Sequence, residues 1–405
     1  MIMEKIILVP VGGLANRMRA VASAVTLTYR VRRKLEVLWF RDWGLNAPFF
    51  KVFEEPELMN ISFSETSCKH LLMYDRPRRR NFYLPKLFQK FQEMNIGWFF
   101  YIGGNDSMDT VLKLSDYAAK IKSDIRIIGV PKTIDNDLMI TDHTPGFGSA
   151  AKYVATTMLE VAHDTYIYDI PSIVIVEIMG RDAGWLTASS VLARNQYSPA
   201  PHLIYLPEVD FDEDQFIEDI KKKLKTNRTV IIAVSEGIHD KDGNYISATS
   251  AAADKFGHAQ LSGTGKALEM LVKERLSIKV RSIELNVLQR CSAHIASRTD
   301  INESFALGQA AVKYAATGKT GIMASINRIS NDPYQWIIEP TDVANVANKA
   351  KSVPLEWITP EKNDVTEEMT AYLRPLIIGE VSLQYRDGLP AYLDVSHLNK
   401  PVVEE

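Results

Sequence analysis

Gly97-Trp98-Phe99-Phe100-Tyr101-Ile102-Gly103-Gly104-Asn105-Asp106-Ser107 reads as an apolar strand that runs into a glycine turn and opens a helix. The apolar run predicts a strand over Gly97 to Tyr101, and the amphipathic stretch behind the turn predicts a helix over Met108 to Lys122. The same rhythm extends on both sides. A helix is expected from Leu84 to Asn95, a strand over Ile125 to Val130 and a long helix from about Ala150 to His163. Strands over Ser172 to Met179, His202 to Leu206, Thr229 to Val234 and Lys279 to Val287 then alternate with helices over Ala183 to Arg194, Glu213 to Lys225 and Thr264 to Leu276. A helix over Glu303 to Thr317 and a strand over Gly321 to Asn327 precede a proline-bearing, mixed-charge C-terminal region expected to wrap the domain. This order predicts an α/β fold with right-handed crossovers and mainly parallel sheets carrying helices on both faces.

The 405 residues, 46% of them hydrophobic, can build sizeable cores. Their 47 basic and 50 acidic side chains leave a formal charge of -3, so no global field points to nucleic acid or an anionic membrane, and anion binding must be local. Cys68 and Cys291 are too few for a disulfide framework and lack zinc-site spacing, which makes the cytoplasm the expected location. The apolar run Ile6 to Val11 is shorter than a signal-peptide core, and no stretch approaches the ~18 apolar residues of a membrane span.

In open α/β sheets ligands lie beyond the carboxyl ends of the strands, and here those positions are unusually polar. Gly103-Gly104 lets backbone N–H groups and a helix N-terminus approach a phosphate, although a plain tight turn has the same sequence. Asp106 in such a loop implies a divalent cation between carboxylate and phosphate. Pro131-Lys132-Thr133-Ile134-Asp135-Asn136-Asp137 supplies a phosphate clamp, a hydroxyl, a general base and a metal anchor within a few residues, whereas Asp-Asn-Asp is also a common turn. Met179-Gly180-Arg181-Asp182-Ala183-Gly184-Trp185 offers a guanidinium for a phosphate, and Ser235-Glu236-Gly237 a carboxylate for sugar hydroxyls; a surface ion pair and a turn cap are the alternatives. Arg290 and Arg298, flanking His294, suit a second phosphate.

These four motifs, in this order, resemble the phosphofructokinase family and within it the short pyrophosphate-dependent type, over about Phe91 to the C-terminus. The resemblance implies magnesium-dependent phosphoryl transfer from pyrophosphate to the 1-hydroxyl of fructose 6-phosphate, in a homo-oligomer with no nucleic-acid or membrane partner. By the same resemblance Asp135 is the base, Thr133 and Lys132 position the phosphates, and Asp106 and Asp137 organise magnesium. Gly103, Gly104, Asn105 and Ser107 would hold the donor phosphate, while Met179, Gly180, Arg181, Glu236 and Arg290 would contact fructose 6-phosphate. ATP-dependent members carry glycine at the positions of Asp106 and Lys132. A carboxylate at 106 repels the α-phosphate of ATP and the Lys132 ammonium attracts pyrophosphate, so pyrophosphate is the expected donor.

The front of the chain departs from that pattern. A strand over Lys5 to Val11, a Gly12-Gly13 turn, a helix from Ala15 to about Lys34 and a strand over Leu35 to Phe40 are expected, followed by a loop-rich stretch from Arg41 to Arg80 that ends in the basic run Arg76-Pro77-Arg78-Arg79-Arg80. The family's Gly-Gly-Pro donor loop and a later arginine-bearing glycine loop are not present as such. Gly12-Gly13-Leu14-Ala15-Asn16-Arg17 instead resembles the opening of fucosyltransferase-like glycosyltransferases, so the chain reads as two pieces, 1–90 and 91–405, joined near Gln89 to Phe91. In that case the donor-binding lobe is incomplete. A catalytically weak sugar-phosphate-binding or regulatory protein and an ATP-dependent phosphofructokinase are the alternative readings. Glycosyl transfer by the N-terminal piece would require a GDP-sugar to bind.

Overall fold

The structure, a computed structural model, describes residues 5–8, 34–39, 61–65, 84–247 and 263–392. Strands β1 (Lys5–Leu8), β2 (Lys34–Trp39) and β3 (Ile61–Glu65) pair in that order as a parallel sheet. The first two are the expected ones. The third lies inside the stretch read as loop-rich, because the alternation Ile61-Ser62-Phe63-Ser64 is too short to stand out. The Gly12-Gly13 turn, the helix expected from Ala15 and the basic run at 76–80 fall outside the described residues.

Helix α1 (Leu84–Glu93) buries Leu87, Phe88 and Phe91, so the junction expected at Gln89 to Phe91 falls within one continuous helix. The Phe91 ring packs 5.2 Å from Phe99 and the Phe88 ring 5.0 Å from Tyr117. Strand β4 (Trp98–Gly103), helix α2 (Asn105–Lys120) and strand β5 (Arg126–Pro131) form a parallel βαβ unit in register from Trp98 opposite Arg126 to Gly103 opposite Pro131. Helix α3 (Phe147–Tyr166) leads on to a second lobe.

There β6 (Ser172–Ile178), α4 (Trp185–Ser189), β7 (Leu203–Tyr205), α5 (Glu213–Leu224), β8 (Thr229–Ser235), α6 (Thr264–Leu276) and β9 (Lys279–Glu284) follow in turn. Their sheet has the order β7-β8-β6-β9 and every pairing is parallel. β6 and β8 are buried at every position, as strands covered on both faces must be. α5 shows its ends in its sequence: Asp212 accepts the Gln215 N–H at 2.8 Å, and Lys221, Lys222 and Lys223 sit on its last turn, where the helix dipole favours cations.

After the short α7 (Leu288–Cys291) and the long α8 (Arg298–Ala316), β10 (Ile322–Asn331) returns to the first lobe beside β5, and β11 (Tyr334–Asp342) folds back antiparallel on it. The C-terminal part includes α9 (Glu367–Leu373).

Several bounds differ from the expected ones for local reasons. The helix expected over Ala183 to Arg194 tightens into a 3-10 turn at Ser190–Ala193, where the Ser189 and Ser190 hydroxyls donate to the Leu186 and Thr187 carbonyls at 2.6 and 2.7 Å. α8 starts five residues before the expected Glu303 because Ser297 caps it, accepting from the Asp300 N–H. The strand expected to end at Asn327 runs four residues further and makes an unanticipated hairpin with β11. Among the described residues no helix is long and apolar enough to cross a membrane.

Leu35 and Val37 of β2 are fully buried in the same cluster as Phe100, Ile128 and Leu307, so packing crosses the expected boundary at residue 90. Leu35→Ala should therefore cost about 2–5 kcal/mol, as cavity creation in a core does. A melting temperature equal to that of the parent would mean that β2 is an appendage.

Candidate active site

Gly104 follows β4 and stands at the N-cap of α2, its carbonyl accepting the N–H groups of Ser107 and Met108 at 3.1 Å, with no side chain capping the helix. A Cβ on Gly103 would stand 2.0 Å from the Ser107 hydroxyl oxygen, so that hydroxyl is folded back against the turn and only glycine fits. Asp106 is exposed on the first helical turn. The Asn105 side chain binds the chain near residue 348: its amide donates to the Lys349 carbonyl at 2.7 Å and its oxygen accepts from the Asn348 N–H at 2.9 Å.

The loop after β5 lies directly alongside, with the Lys132 N–H donating to the Gly103 carbonyl at 2.9 Å. The Thr133 hydroxyl accepts from the Asp135 N–H and donates to Asp135 Oδ2, both at 3.1 Å, which fixes the carboxylate relative to its own loop. Asn136 takes the left-handed conformation at φ 56°, tolerable for asparagine, and its buried amide donates to the Tyr372 hydroxyl at 3.0 Å. Asp137 Oδ1 is buried with no hydrogen-bond partner among the described residues.

Across from this loop, β6 and β8 deliver the other two motifs. Gly180 has φ +147°, donates its N–H to Glu236 Oε1 at 3.4 Å and accepts from the Ser235 hydroxyl at its carbonyl. The two loops are pressed together: a Cβ on Gly237 would sit 1.9 Å from the Arg181 carbonyl oxygen. Arg181 Nε is buried without a partner among the described residues. The Met179 N–H donates to Gln289 Oε1 at 3.3 Å, and the next residue, Arg290, is an exposed arginine on α7. Arg298 does not join this group, since its Nε donates to the Glu380 carbonyl at 3.1 Å, and His294 is exposed on a short 3-10 turn.

Charge ties the two lobes into one site. Burial raises the Asp135 carboxyl above its ordinary range, against the pull of the Thr133 hydroxyl and of the Lys132, Arg290 and Arg181 cations. Burial lowers Lys132, with Asp135 and Asp137 opposing and Arg290 reinforcing. Asp137 is pushed up to about 6 by burial and by Asp135. Glu236 is pushed up to about 7 by burial, with the Gly180 N–H pulling it down and Glu177 pushing it up. Lys132, Asp135, Asp137, Arg181, Glu236 and Arg290 thus lie within electrostatic reach of one another, as a shared cleft requires. Asp106 and Asp137 are not joined by any described contact, and among the described residues no cluster of three or more metal-binding side chains exists. A magnesium ion fits such a place only with phosphate oxygens and water completing its shell.

Residues 348–353 belong to none of the four motifs. Besides their bonds to Asn105, the Lys351 N–H donates to the Asp137 carbonyl at 2.7 Å and its carbonyl accepts from Trp185 Nε1 at 2.9 Å. Glu208 Oε1 accepts both the Val353 N–H at 2.9 Å and the Gly184 N–H at 2.8 Å. Behind the loop, His143 is buried between Asp142 at 2.7 Å and Glu303 at 2.6 Å; burial alone would lower its pKa, but these two carboxylates raise it. Single charged residues without repeat or spacing carry no sequence signal.

A family model described as Phosphofructokinase matches residues 5–315. The chain belongs to the phosphofructokinase family. It is 39% identical over 337 residues to a pyrophosphate–fructose 6-phosphate 1-phosphotransferase of Methylococcus capsulatus, covering 83% of this chain and 80% of that protein. It is 37% identical over 399 residues to the protein so named from Xanthomonas campestris pv. campestris, covering 96% and 95%. The crystal structure of a pyrophosphate-dependent phosphofructokinase from Marinobacter aquaeolei superposes with a TM-score of 0.77 at 30% identity, covering 99% of this chain and 98% of that one. The family match opens at residue 5 and the Xanthomonas alignment runs through most of residues 1–90, so the glycosyltransferase-like reading of that segment finds no support.

Because Glu236 holds its proton to about 7 in the folded chain, stability should fall as pH rises from the ordinary glutamate range of about 4.5 to about 7, where the unfolded chain has already ionised. Glu236→Gln removes that cost. Its melting temperature should exceed that of the parent above pH 7, with the gap closing toward pH 4.5; a constant gap would disprove the linkage.

Proposed function

We propose that the chain transfers a phosphoryl group from pyrophosphate to the 1-hydroxyl of fructose 6-phosphate, giving fructose 1,6-bisphosphate and phosphate. The observation that carries this reading is the electrostatic convergence on Asp135 of Lys132 from one lobe and Arg181 and Arg290 from the other. Relatives named for this reaction, matched over most of their length, support it.

In this reading the lobe of β4, β5 and β10 faces the donor and the lobe of β6 to β9 faces the sugar phosphate. Asp135 accepts the proton of the 1-hydroxyl as its oxygen bonds to the transferring phosphorus and the bridging oxygen of pyrophosphate departs. A carboxylate raised by burial and oriented by Thr133 suits a general base. Lys132 draws the pyrophosphate in, with the glycine turn Gly103-Gly104 and Ser107 beside it. The structure points Asn105 toward residues 348 and 349, so of that residue only the backbone is left for a donor phosphate. Met179, Gly180 and Glu236 line the sugar, and Arg181, whose Nε has no partner among the described residues, and Arg290 take its phosphate. Asp137, with its unpartnered buried Oδ1, and Asp106 are the residues that would hold magnesium, which when bound neutralises charge on the transferring phosphoryl oxygens. A cytoplasmic homo-oligomer without nucleic-acid or membrane partners completes the reading.

Asp135→Asn should keep fructose 6-phosphate affinity by calorimetry while lowering pyrophosphate-dependent turnover by about 10² or more. Unchanged turnover would remove Asp135 from the mechanism. For the donor, Asp106→Gly combined with Lys132→Gly should weaken use of pyrophosphate and raise the rate with ATP relative to it, because a repelling carboxylate and an attracting ammonium are lost together. Full pyrophosphate activity in the double variant would show that other residues select the donor.

A further inference from the structure

Lys351 belongs to none of the four motifs, yet its side chain ends behind one of them. Its ammonium donates to the Asp142 carbonyl at 2.6 Å, the Thr141 carbonyl at 3.1 Å and Asn136 Oδ1 at 3.2 Å. An ammonium has three N–H groups, and these three acceptors use them all. Its charge also lies 5.2 Å from the Trp185 ring centre. The main chain of the same residue binds the Asp137 carbonyl on one side and the Trp185 indole on the other. Burial brings the ammonium down to about 8, opposed by the Asp142 and Asp137 carboxylates.

The acceptors bracket the turn that sets the direction of two candidate functional carboxylates. Asn136 stands between Asp135 and Asp137 in the left-handed region, where the chain reverses the course of its side chains. Its amide oxygen is held by Lys351 and its amide nitrogen by the Tyr372 hydroxyl, which itself donates to the Asp142 carbonyl at 2.7 Å. We propose that Lys351 is a positioning residue for phosphoryl transfer: its ammonium locks the Asn136 turn and thereby aims the Asp135 and Asp137 carboxylates into the cleft. The catalytic consequence rests on the phosphoryl-transfer reading above, while the structural one does not.

The test compares the full-length parent with Lys351→Met, which keeps the length of the side chain and removes its charge. Turnover, fructose 6-phosphate affinity by calorimetry and backbone hydrogen exchange are measured on both. Turnover should fall by about 10² with affinity held within about threefold, since a small misplacement of a reacting group is enough for such a loss. The amides of residues 133–142 should exchange faster, while those of β8 keep their protection. Turnover within about twofold of the parent overturns the proposal, as does a loss of affinity and of β8 protection together, which would make Lys351 a plain stability residue. If Lys351→Met does not fold, Asn136→Gly serves in its place, because glycine accepts the positive φ and deletes only the side chain that Lys351 and Tyr372 hold. There a fall in turnover of roughly tenfold is expected, and parental turnover overturns the proposal. A parent without pyrophosphate-dependent turnover would defeat the functional reading alone, and the exchange data would still decide whether Lys351 holds the loop.

Discussion

The carboxyl ends of two separate sheets are held together by hydrogen bonds from one short stretch of backbone, residues 348–353. Asn105 and Asp137 reach it from the first lobe, and Trp185 and Glu208 from the second. Each such bond contributes only about 1 kcal/mol net, so their value lies less in stability than in geometry. Donor and acceptor residues come from different lobes, and a reaction between two bound molecules depends on their relative placement to within a fraction of an ångström.

The second constraint is charge. Before substrates bind, the cleft gathers carboxylates that would be ionised in water and lifts Asp137 to about 6 and Glu236 to about 7. Even Glu177, behind the site, is buried and raised, although the Gly265 N–H at 2.7 Å holds its Oε2. The cations Lys132, Arg181 and Arg290 offset part of this cost, and the unpartnered Arg181 Nε and Asp137 Oδ1 mark where protein groups leave interactions unmade. Such unsatisfied atoms are expensive in a core and are retained where a ligand completes them.

How much of this was legible in the sequence depended on pattern. The strand ends were readable because an apolar run followed by glycine and charged residues has few other meanings in an alternating α/β chain, and the structure brings Lys132, Asp135, Asp137, Arg181, Glu236 and Arg290 into one neighbourhood. The bonds from the Asn105 side chain to Asn348 and Lys349 were not legible, because their partners lie more than 200 residues away in the chain. Lys351 and Glu208 left no trace, since each acts through contacts far apart in the chain. The N-terminal segment was set apart on the strength of a glycine turn, whereas the burial of Leu35 and Val37 beside Phe100 was invisible in strands so short.

The return of β10 to the first lobe has a consequence for how the chain can assemble. β5 acquires its neighbour β10 only after the entire second lobe has been threaded between them, with Ile128 opposite Ile322. The second sheet, by contrast, draws all four strands from one uninterrupted stretch of chain. On a ribosome, the sugar-phosphate half can therefore close while the donor half still shows β5 as a bare edge, and such edges invite pairing with other chains. The region at risk in synthesis is the one whose motifs emerge first.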